Sequence, residues 1–221
     1  MDNELSSSSI SLEWLSNNLP YKVYLNYKSK NSLQRMETDQ LIINILLFVF
    51  LPLWGIAGFV DWCCHRATHI EENSGIFESI LHSMMGIQIG IPMLLCLMFE
   101  LDVGILLICF IVWVLHELVA HYDVRYASPQ RHISIWEMHA HTYLGSLPLY
   151  MLSMIIAINW DVFKQLISFD FTGAFAFNRL STPIGGEDFL TYYIIFMVIT
   201  CVFPYTEELI RCVIARIAKA R

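Results

Sequence analysis

The hydrophobic positions of this chain fall into long runs that are separated by short polar segments. Four runs, at about 41–60, 76–99, 101–121 and 189–206, each approach the roughly 20 residues that a helix needs to cross the hydrocarbon core of a membrane. A fifth run, at about 142–159, is shorter and more polar. The pattern predicts an all-α, polytopic membrane helix bundle of about five transmembrane helices.

The same pattern divides the chain into parts with different expected roles. The N-terminal part lacks the short apolar segment of a cleavable signal peptide, so we expect a leader that is partly disordered or lies on the membrane surface, with a short amphipathic helix at Ile10 to Leu19 as one form of it. The predicted parts are the leader, 1–40; a four-helix histidine-rich membrane core, 41–160; a polar loop, 161–188; and a fifth span with a basic amphipathic C-terminus, 189–221.

Composition agrees with this pattern. Hydrophobic residues make up 56% of the chain and charged residues 15%, and the mean hydropathy is +0.54, as in integral, multi-pass membrane proteins rather than ordinary soluble domains. The net charge of −7 and the lack of a nucleic-acid motif argue against a nucleic-acid partner. The membrane itself is the partner that the composition predicts.

All eight histidines lie in one third of the chain, between residues 65 and 141. Histidines placed for packing would scatter, whereas imidazoles gathered from several segments are typical of a transition-metal site. They occur at the end of the first span, the start of the second, the end of the third and the start of the fourth. Because consecutive spans alternate in direction, all four ends lie on one membrane face. The alternation therefore predicts a four-helix metal site at that face.

Local patterns refine the helices that carry the histidines. The first helix is predicted to continue past the apolar run to a turn at 73–75, which places Asp61, His65, His69 and Glu72 on one helical face. A tight hairpin at 100–102 joins the second and third spans.

Two shorter motifs add detail. Ser134 and Glu137 have the spacing of a capping box, in which the serine caps a helix and the glutamate reaches back to its start. Gly86 and Gly90 form a small-xxx-small pair, which is typical of the close approach of another helix.

A carboxylate precedes a histidine by four residues once on each of the four helices, in Asp61/His65, Glu78/His82, Glu117/His121 and Glu137/His141. At this spacing the two side chains meet on one helix face, so each pair can supply two ligands or a ligand and the carboxylate that orients it. Candidate metal ligands are His65, His69, His82, His116, His121, His132, His139, His141, Asp61 and Glu78. Candidate catalytic carboxylates are Glu117, Glu137 and Asp123.

The number of donors bears on the metal. One zinc ion takes three or four protein ligands, and this set exceeds that number, so it indicates two metal ions. Nitrogen and oxygen donors suit iron that activates oxygen, and a hydrophobic bundle around it favours a lipid substrate. Two iron ions are therefore the predicted cofactor, with zinc as the alternative.

The spacings His65-x-x-x-His69, His116-x-x-x-x-His121 and His139-x-His141, at the ends of paired spans, resemble the histidine boxes of integral-membrane di-iron enzymes, the fatty acid desaturases and hydroxylases. The resemblance covers roughly 41–160. It implies two irons held by most of the eight histidines, with oxygen and an external electron donor acting on an acyl or alkyl chain. It also implies a site at the cytosolic face, where reductants are found.

A second class of function stays open from the sequence. The chain is alternatively a metal-binding membrane protein, either a transporter or a zinc-dependent membrane hydrolase. A transporter would place its ligands near the middle of the membrane on broken helices, whereas these histidines cluster at helix ends, which favours the enzyme.

Overall fold

The computed structural model describes the backbone of residues 21–221 and the side chains of residue 30 and of residues 32–221. The chain divides into two units, Met1–Asn44 and Ile45–Arg221. Helix α1, Tyr21–Ile45, forms the described part of the first unit and ends at the first residue of the second. The predicted amphipathic segment from Ile10 to Leu19 lies outside the described residues.

The second unit is built from helices that are joined by short connections. A π-helical segment, Leu46–Phe50, precedes α2, a short 3-10 helix, Ile70–Glu72, lies between α2 and α3, and a second π-helical segment, Val198–Val202, joins α7 to α8. The helices are α2 (Leu51–Ala67), α3 (Gly75–Met98), α4 (Val103–Ala127), α5 (Ile135–Ile158), α6 (Trp160–Ile167), α7 (Gly186–Met197) and α8 (Phe203–Lys219).

Five helical stretches in residues 21–221 are long and apolar enough to cross a membrane, which confirms the predicted all-α membrane bundle. Large apolar side chains such as Ile87, Leu118 and Tyr192 are exposed on the outside of these helices. Such helices suit a lipid environment, because lipid tails cannot hydrogen-bond to the backbone and a helix satisfies its backbone hydrogen bonds internally. The stretches are Ser32–Ala67, Gly75–Met98, Val103–Ala127, Ile135–Ile158 and Gly186–Lys219.

The first predicted helix is wrong in its length. Helix α2 ends at Ala67, and His69 takes the left-handed conformation, with φ 52°, before the 3-10 turn. The left-handed residue interrupts the helical backbone, so His69 and Glu72 leave the face that Asp61 and His65 share.

Two of the helix starts in the core, those of α4 and α5, are fixed by side-chain caps. Asp102 accepts a hydrogen bond of 2.8 Å from the Ile105 amide, so the tight hairpin between α3 and α4 forms as predicted. Ser134 accepts one of 3.2 Å from the Glu137 amide, which confirms the serine half of the capping box. The other half is wrong, because the Glu137 carboxylate contacts Arg131 and His65 instead.

The connection between α6 and α7 packs against the hairpin of α3 and α4. The Leu180 amide donates to the Met98 carbonyl, and the Glu100 amide donates to the Asn178 carbonyl. The segment predicted as a polar loop, 161–188, contains most of α6 and several exposed phenylalanines, of which Phe169 is 81% exposed. This part of the bundle is therefore the face opposite to the histidines.

One end of the bundle collects the ends of five helices. Helices α2, α4 and α8 finish there, and α3 and α5 begin there, since each connection reverses the direction of the chain. The sequence places four of these ends on one face. The fifth span runs in the same direction as the first and third, so its C-terminal end lies on that face as well. The C-terminal helix α8 thus reaches the same face as the histidine-bearing helix ends.

A candidate metal centre

Five carboxylates, three imidazoles and one guanidinium meet inside this end of the bundle. Eight of the nine residues are buried, and His141 is partly buried. They come from five helices and from the connection between α4 and α5. The cluster, which we name the acid–histidine cluster, consists of Asp61, His65, Glu78, His82, Asp123, Arg131, Glu137, His141 and Glu208.

Glu208 of α8 lies at the centre of the cluster. One of its oxygens is 3.0 Å from His65 Nδ1, and the other is 3.1 Å from His82 Nδ1. The two imidazole rings stack at 4.4 Å between centroids, with 11° between their planes. A carboxylate that binds the Nδ1 atoms fixes both rings, and it leaves both Nε2 atoms directed away from itself.

The Nε2 atom of His65 faces acids from two other positions. It lies 3.5 Å from Asp61 Oδ1 and 3.3 Å from Glu137 Oε1. His141 Nε2 lies 3.0 Å from the same Asp61 oxygen. These residues form one half of the cluster, which joins helices α2 and α5.

The Nε2 atom of His82 faces the other half. It lies 3.3 Å from Asp123 Oδ2 of α4 and 4.0 Å from Glu78 Oε1 of α3. Within the described residues, three overlapping groups of ligand atoms can each hold a metal ion, with all atoms of a group within 4.8 Å of one another. The groups are Asp61, His65, His82 and His141; His65, Glu78 and Glu137; and Glu78, His82 and Asp123.

Arg131 links the two halves through their glutamates. Its guanidinium donates to Glu78, with Nε 3.2 Å from Oε1, and to Glu137, with Nη1 2.9 Å from Oε2. Burial lowers the pKa of Arg131, but its hydrogen bonds to Glu137 and Glu78 raise the pKa above the ordinary value. The side chain therefore stays a cation and holds two carboxylates that would otherwise repel each other.

Several buried atoms of the cluster have no hydrogen-bond partner. Asp61 Oδ1, His65 Nε2 and Asp123 Oδ1 are fully buried, and none makes a hydrogen bond of acceptable geometry. Buried polar atoms normally have partners, because leaving one unpaired costs about 1–3 kcal/mol. A cation in the group of Asp61, His65, His82 and His141 would satisfy the first two atoms, and the Asp123 carboxylate belongs to a second group, so the donor set fits metal ions.

A chamber adjoins the cluster on its membrane side. Its volume is about 330 Å³, within the range of small-molecule sites. Asp61, His82, Asp123 and His141 form its cluster end, and Trp54 is among the apolar residues of its wall. His116, Glu117 and His121 also line this chamber.

The structure brings together seven of the residues that the sequence singles out and separates the others. His116 is buried but lies in none of the three groups of possible ligands. His69, His132 and His139 are exposed and lie outside both the cluster and the chamber. Glu117 and His121 occupy exposed positions on the chamber's rim. The predicted residues in the cluster are Asp61, His65, Glu78, His82, Asp123, Glu137 and His141.

The four carboxylate–histidine pairs behave differently from one another. Asp61 and His65 are in contact, and Glu78 and His82 are just within 4.0 Å. Glu137 and His141 each contact a residue of α2 instead. The spacing therefore places these acids in the right region, but packing between helices decides which imidazole each one meets.

Two members of the cluster have no part in the sequence-based prediction of the site. Arg131 lies in a loop among other charges, and nothing local distinguishes it. Glu208 carries a usable signal, because Glu207 and Glu208 follow an apolar span whose end lies on the histidine face. The span packs against α2, and it also supplies the central carboxylate.

The neighbouring acid, Glu207, lies outside the cluster and forms hydrogen bonds near the surface. Its carboxylate accepts hydrogen bonds from Trp62 Nε1 at 3.0 Å, from Arg66 Nη1 at 2.7 Å and from Arg211 Nε at 3.2 Å. Arg211 also pairs with Glu71. This surface network joins α8 to α2 outside the cluster.

Fold and site together define a multi-pass membrane helix bundle with a buried group of possible metal ligands at one face. In the comparisons with known proteins, no family model, curated protein or solved structure matches the chain.

Proposed function

We propose that this protein is a membrane-bound, metal-dependent oxidoreductase whose acid–histidine cluster holds two iron ions. Its substrate is a lipid or another acyl or alkyl chain, its oxidant is O2, and its electrons come from an external donor protein at the cytosolic face. The single observation that carries the proposal is the buried cluster itself, with its three overlapping groups of ligands.

The charge of the cluster supports two divalent ions. With its five carboxylates and three histidines deprotonated, as metal binding requires, and with the Arg131 guanidinium, the cluster carries four negative charges. Uncompensated charges at membrane depth are expensive. Two divalent cations balance these four charges, and one does not.

The kinds of donor support iron over zinc. Zinc sites use three or four protein ligands, whereas the three ligand groups of this cluster comprise seven residues, four of them carboxylates. Helical bundles that bind two irons likewise combine glutamates and histidines from facing helices. The three imidazoles are fewer than the histidine-box resemblance implies, and the carboxylates take the remaining places.

The position of the cluster supports an apolar substrate. It lies at the ends of five apolar spans, and the chamber beside it extends toward the membrane interior between residues such as Trp54, Met85 and Leu144. A hydrocarbon chain can enter such a space without leaving an apolar surrounding.

The protein's own residues then have separable roles. Glu208 orients the imidazoles of His65 and His82, and Arg131 balances the charge of Glu78 and Glu137. The iron pair would supply the redox chemistry, in which O2 takes two electrons from the substrate's C–H bonds, two electrons from the donor and two protons from water. Desaturation and hydroxylation both satisfy this balance, with water as the other product.

Metal analysis of the purified full-length protein tests the proposal. We expect about two iron ions per chain, as in two-metal sites generally. If the Glu208→Gln variant loses the iron and the Glu207→Gln variant retains it, the iron is bound in the cluster. Stoichiometric zinc without iron would contradict the oxidoreductase and favour the zinc-dependent hydrolase.

A further inference from the structure

The chamber has a repeated construction around the cluster. Each of three helices carries a glycine about one helical turn farther into the membrane than one of its cluster residues. The pairs of cluster residue and glycine are Asp61 and Gly58, His82 and Gly86, and His141 and Gly145. All three glycines line the chamber. A Cβ atom on Gly86 would meet nothing within 4 Å. At Gly86 and Gly145 the missing side chains therefore leave space directly below the cluster. Gly58 differs, because an added Cβ would lie 3.4 Å from Cys201 Sγ.

This finding corrects the expected role of the small-xxx-small pair. Neither Gly86 nor Gly90 has another helix against it, because an added Cβ at either position would lie in open space. The glycine at 145 is similar, since its nearest neighbour would be Glu117 Oε1 at 3.9 Å. Gly86 serves the chamber, and not the close packing of two helices.

His116 lies at the far end of this space. It precedes Asp123 by seven residues on α4, which corresponds to about 10 Å along the helix axis. Trp54 precedes Asp61 by the same number on α2, so it lies at a similar depth. The Trp54 indole N–H already donates to the Leu144 carbonyl, at 3.2 Å. His116, in contrast, lines the chamber at this depth and has no such partner.

His116 is 2% exposed, and both of its ring nitrogens are buried without a hydrogen bond of acceptable geometry. The carbonyl oxygens of Met85 and Leu144 lie near the ring, but neither meets that geometry. An imidazole has one donor and one acceptor nitrogen when neutral. Buried groups of this kind are normally satisfied, so His116 is prepared for a partner that enters the chamber.

We propose that the chamber binds a substrate with a neutral hydrogen-bonding oxygen, a hydroxyl or a carbonyl, and that His116 binds this oxygen two helical turns below the cluster. The substrate is then an apolar molecule with one polar group, and its reacting carbon lies about 10 Å from that group. The reacting position rests on the proposed function, whereas the binding of the oxygen does not.

Photolabelling of the full-length protein in lipid nanodiscs tests this binding directly. Two diazirine-bearing decyl probes of equal length are compared, one ending in a hydroxyl and the other in a methyl group. Labelling of the chamber is normalised to labelling at the lipid-facing Ile87. We expect the hydroxyl probe to label the chamber about ten- to a hundredfold more strongly, because an unpaired buried group costs about that factor in binding.

Three variants identify the cause of the preference. His116→Leu should remove the preference for the hydroxyl probe, and His116→Gln, whose amide also donates and accepts, should restore part of it. Gly86→Leu should exclude both probes by filling the space. All three should keep the metal content of the unsubstituted protein, which also shows that they fold.

Each contrary outcome has a distinct meaning. Equal labelling by the two probes, or a preference that survives in His116→Leu, would overturn the inference. Loss of metal in both His116 variants would make His116 a metal ligand and overturn it as well. A hydroxyl preference in a protein that binds no iron would instead leave this inference standing and contradict the proposed function.

Discussion

Glu208 Oε2 lies 3.0 Å from His65 Nδ1, although 143 residues separate the two in the chain. The contact joins the last helix to the first helix of the bundle in the most buried part of the site. It also assigns the two nitrogens of His65 different partners, since Nδ1 faces Glu208 and Nε2 faces Asp61 and Glu137. The orientation of this ligand therefore depends on the C-terminal helix.

Separate substitutions of the two adjacent glutamates on α8 test whether the orientation of His65 depends on Glu208. We expect Glu208→Gln to weaken metal binding by about 10–100-fold, because an amide cannot accept hydrogen bonds from both imidazoles. Glu207→Gln removes only partly exposed ion pairs, which are worth about 0–1 kcal/mol, and should keep the metal. Metal titration of both proteins provides the measurement. Equal affinities in the two variants would show that Glu208 does not orient the ligands.

Substitutions of His65 and His69 distinguish the acid–histidine cluster from a metal site built on the histidine-box spacing. His65 is buried among acids, whereas the His69 side chain is 66% exposed. We expect His65→Ala to lower the metal content at least about tenfold, and His69→Ala to leave it unchanged. Elemental analysis of the purified variants is the check. If both lose metal equally, the helix continues through His69 as the sequence predicts, and the left-handed turn is wrong.

The cation in the cluster makes a separate prediction about stability. Arg131→Gln leaves Glu78 and Glu137 as uncompensated buried charges, and breaking such a pair costs about 3–5 kcal/mol. We therefore expect a lower melting temperature for this variant in detergent. Arg125→Gln, at an exposed position of α4, is the matched control and should melt like the unsubstituted protein. Identical melting of the two variants would exclude a charge-balancing role for Arg131.

The shared face of the five helix ends can be measured by labelling. Single cysteines at Asn73, Gln130 and Arg221, in a background without native cysteines, should react from one side of the membrane. Cysteines at Glu100 and Thr172 should react from the other side, because the hairpin and the α6–α7 connection lie opposite. Reaction of Asn73 and Arg221 from opposite sides would remove Glu208 from the site.

Much of the fold can be predicted without coordinates, because apolar length and alternation are properties of the linear chain. Each span needs a run of about 20 apolar residues, and each crossing reverses direction. Asp61, Glu78 and Glu137 are therefore assigned to one face by counting alone. The helix end at Ala67 is different, since it depends on the left-handed backbone of His69, and an isolated histidine carries no signal of that conformation.

By itself, the sequence determined that the chain spans a membrane several times and that acids and histidines gather at one face. The lengths of the hydrophobic runs and the alternating direction of consecutive spans are enough for both conclusions. Only the tertiary structure decided which of those groups touch. Glu137 has the spacing of a capping residue and yet binds Arg131, and Glu208 reaches His65 across the bundle. These choices depend on how helices rotate against one another, because buried charges take whichever partners the packed helices bring within a few ångströms.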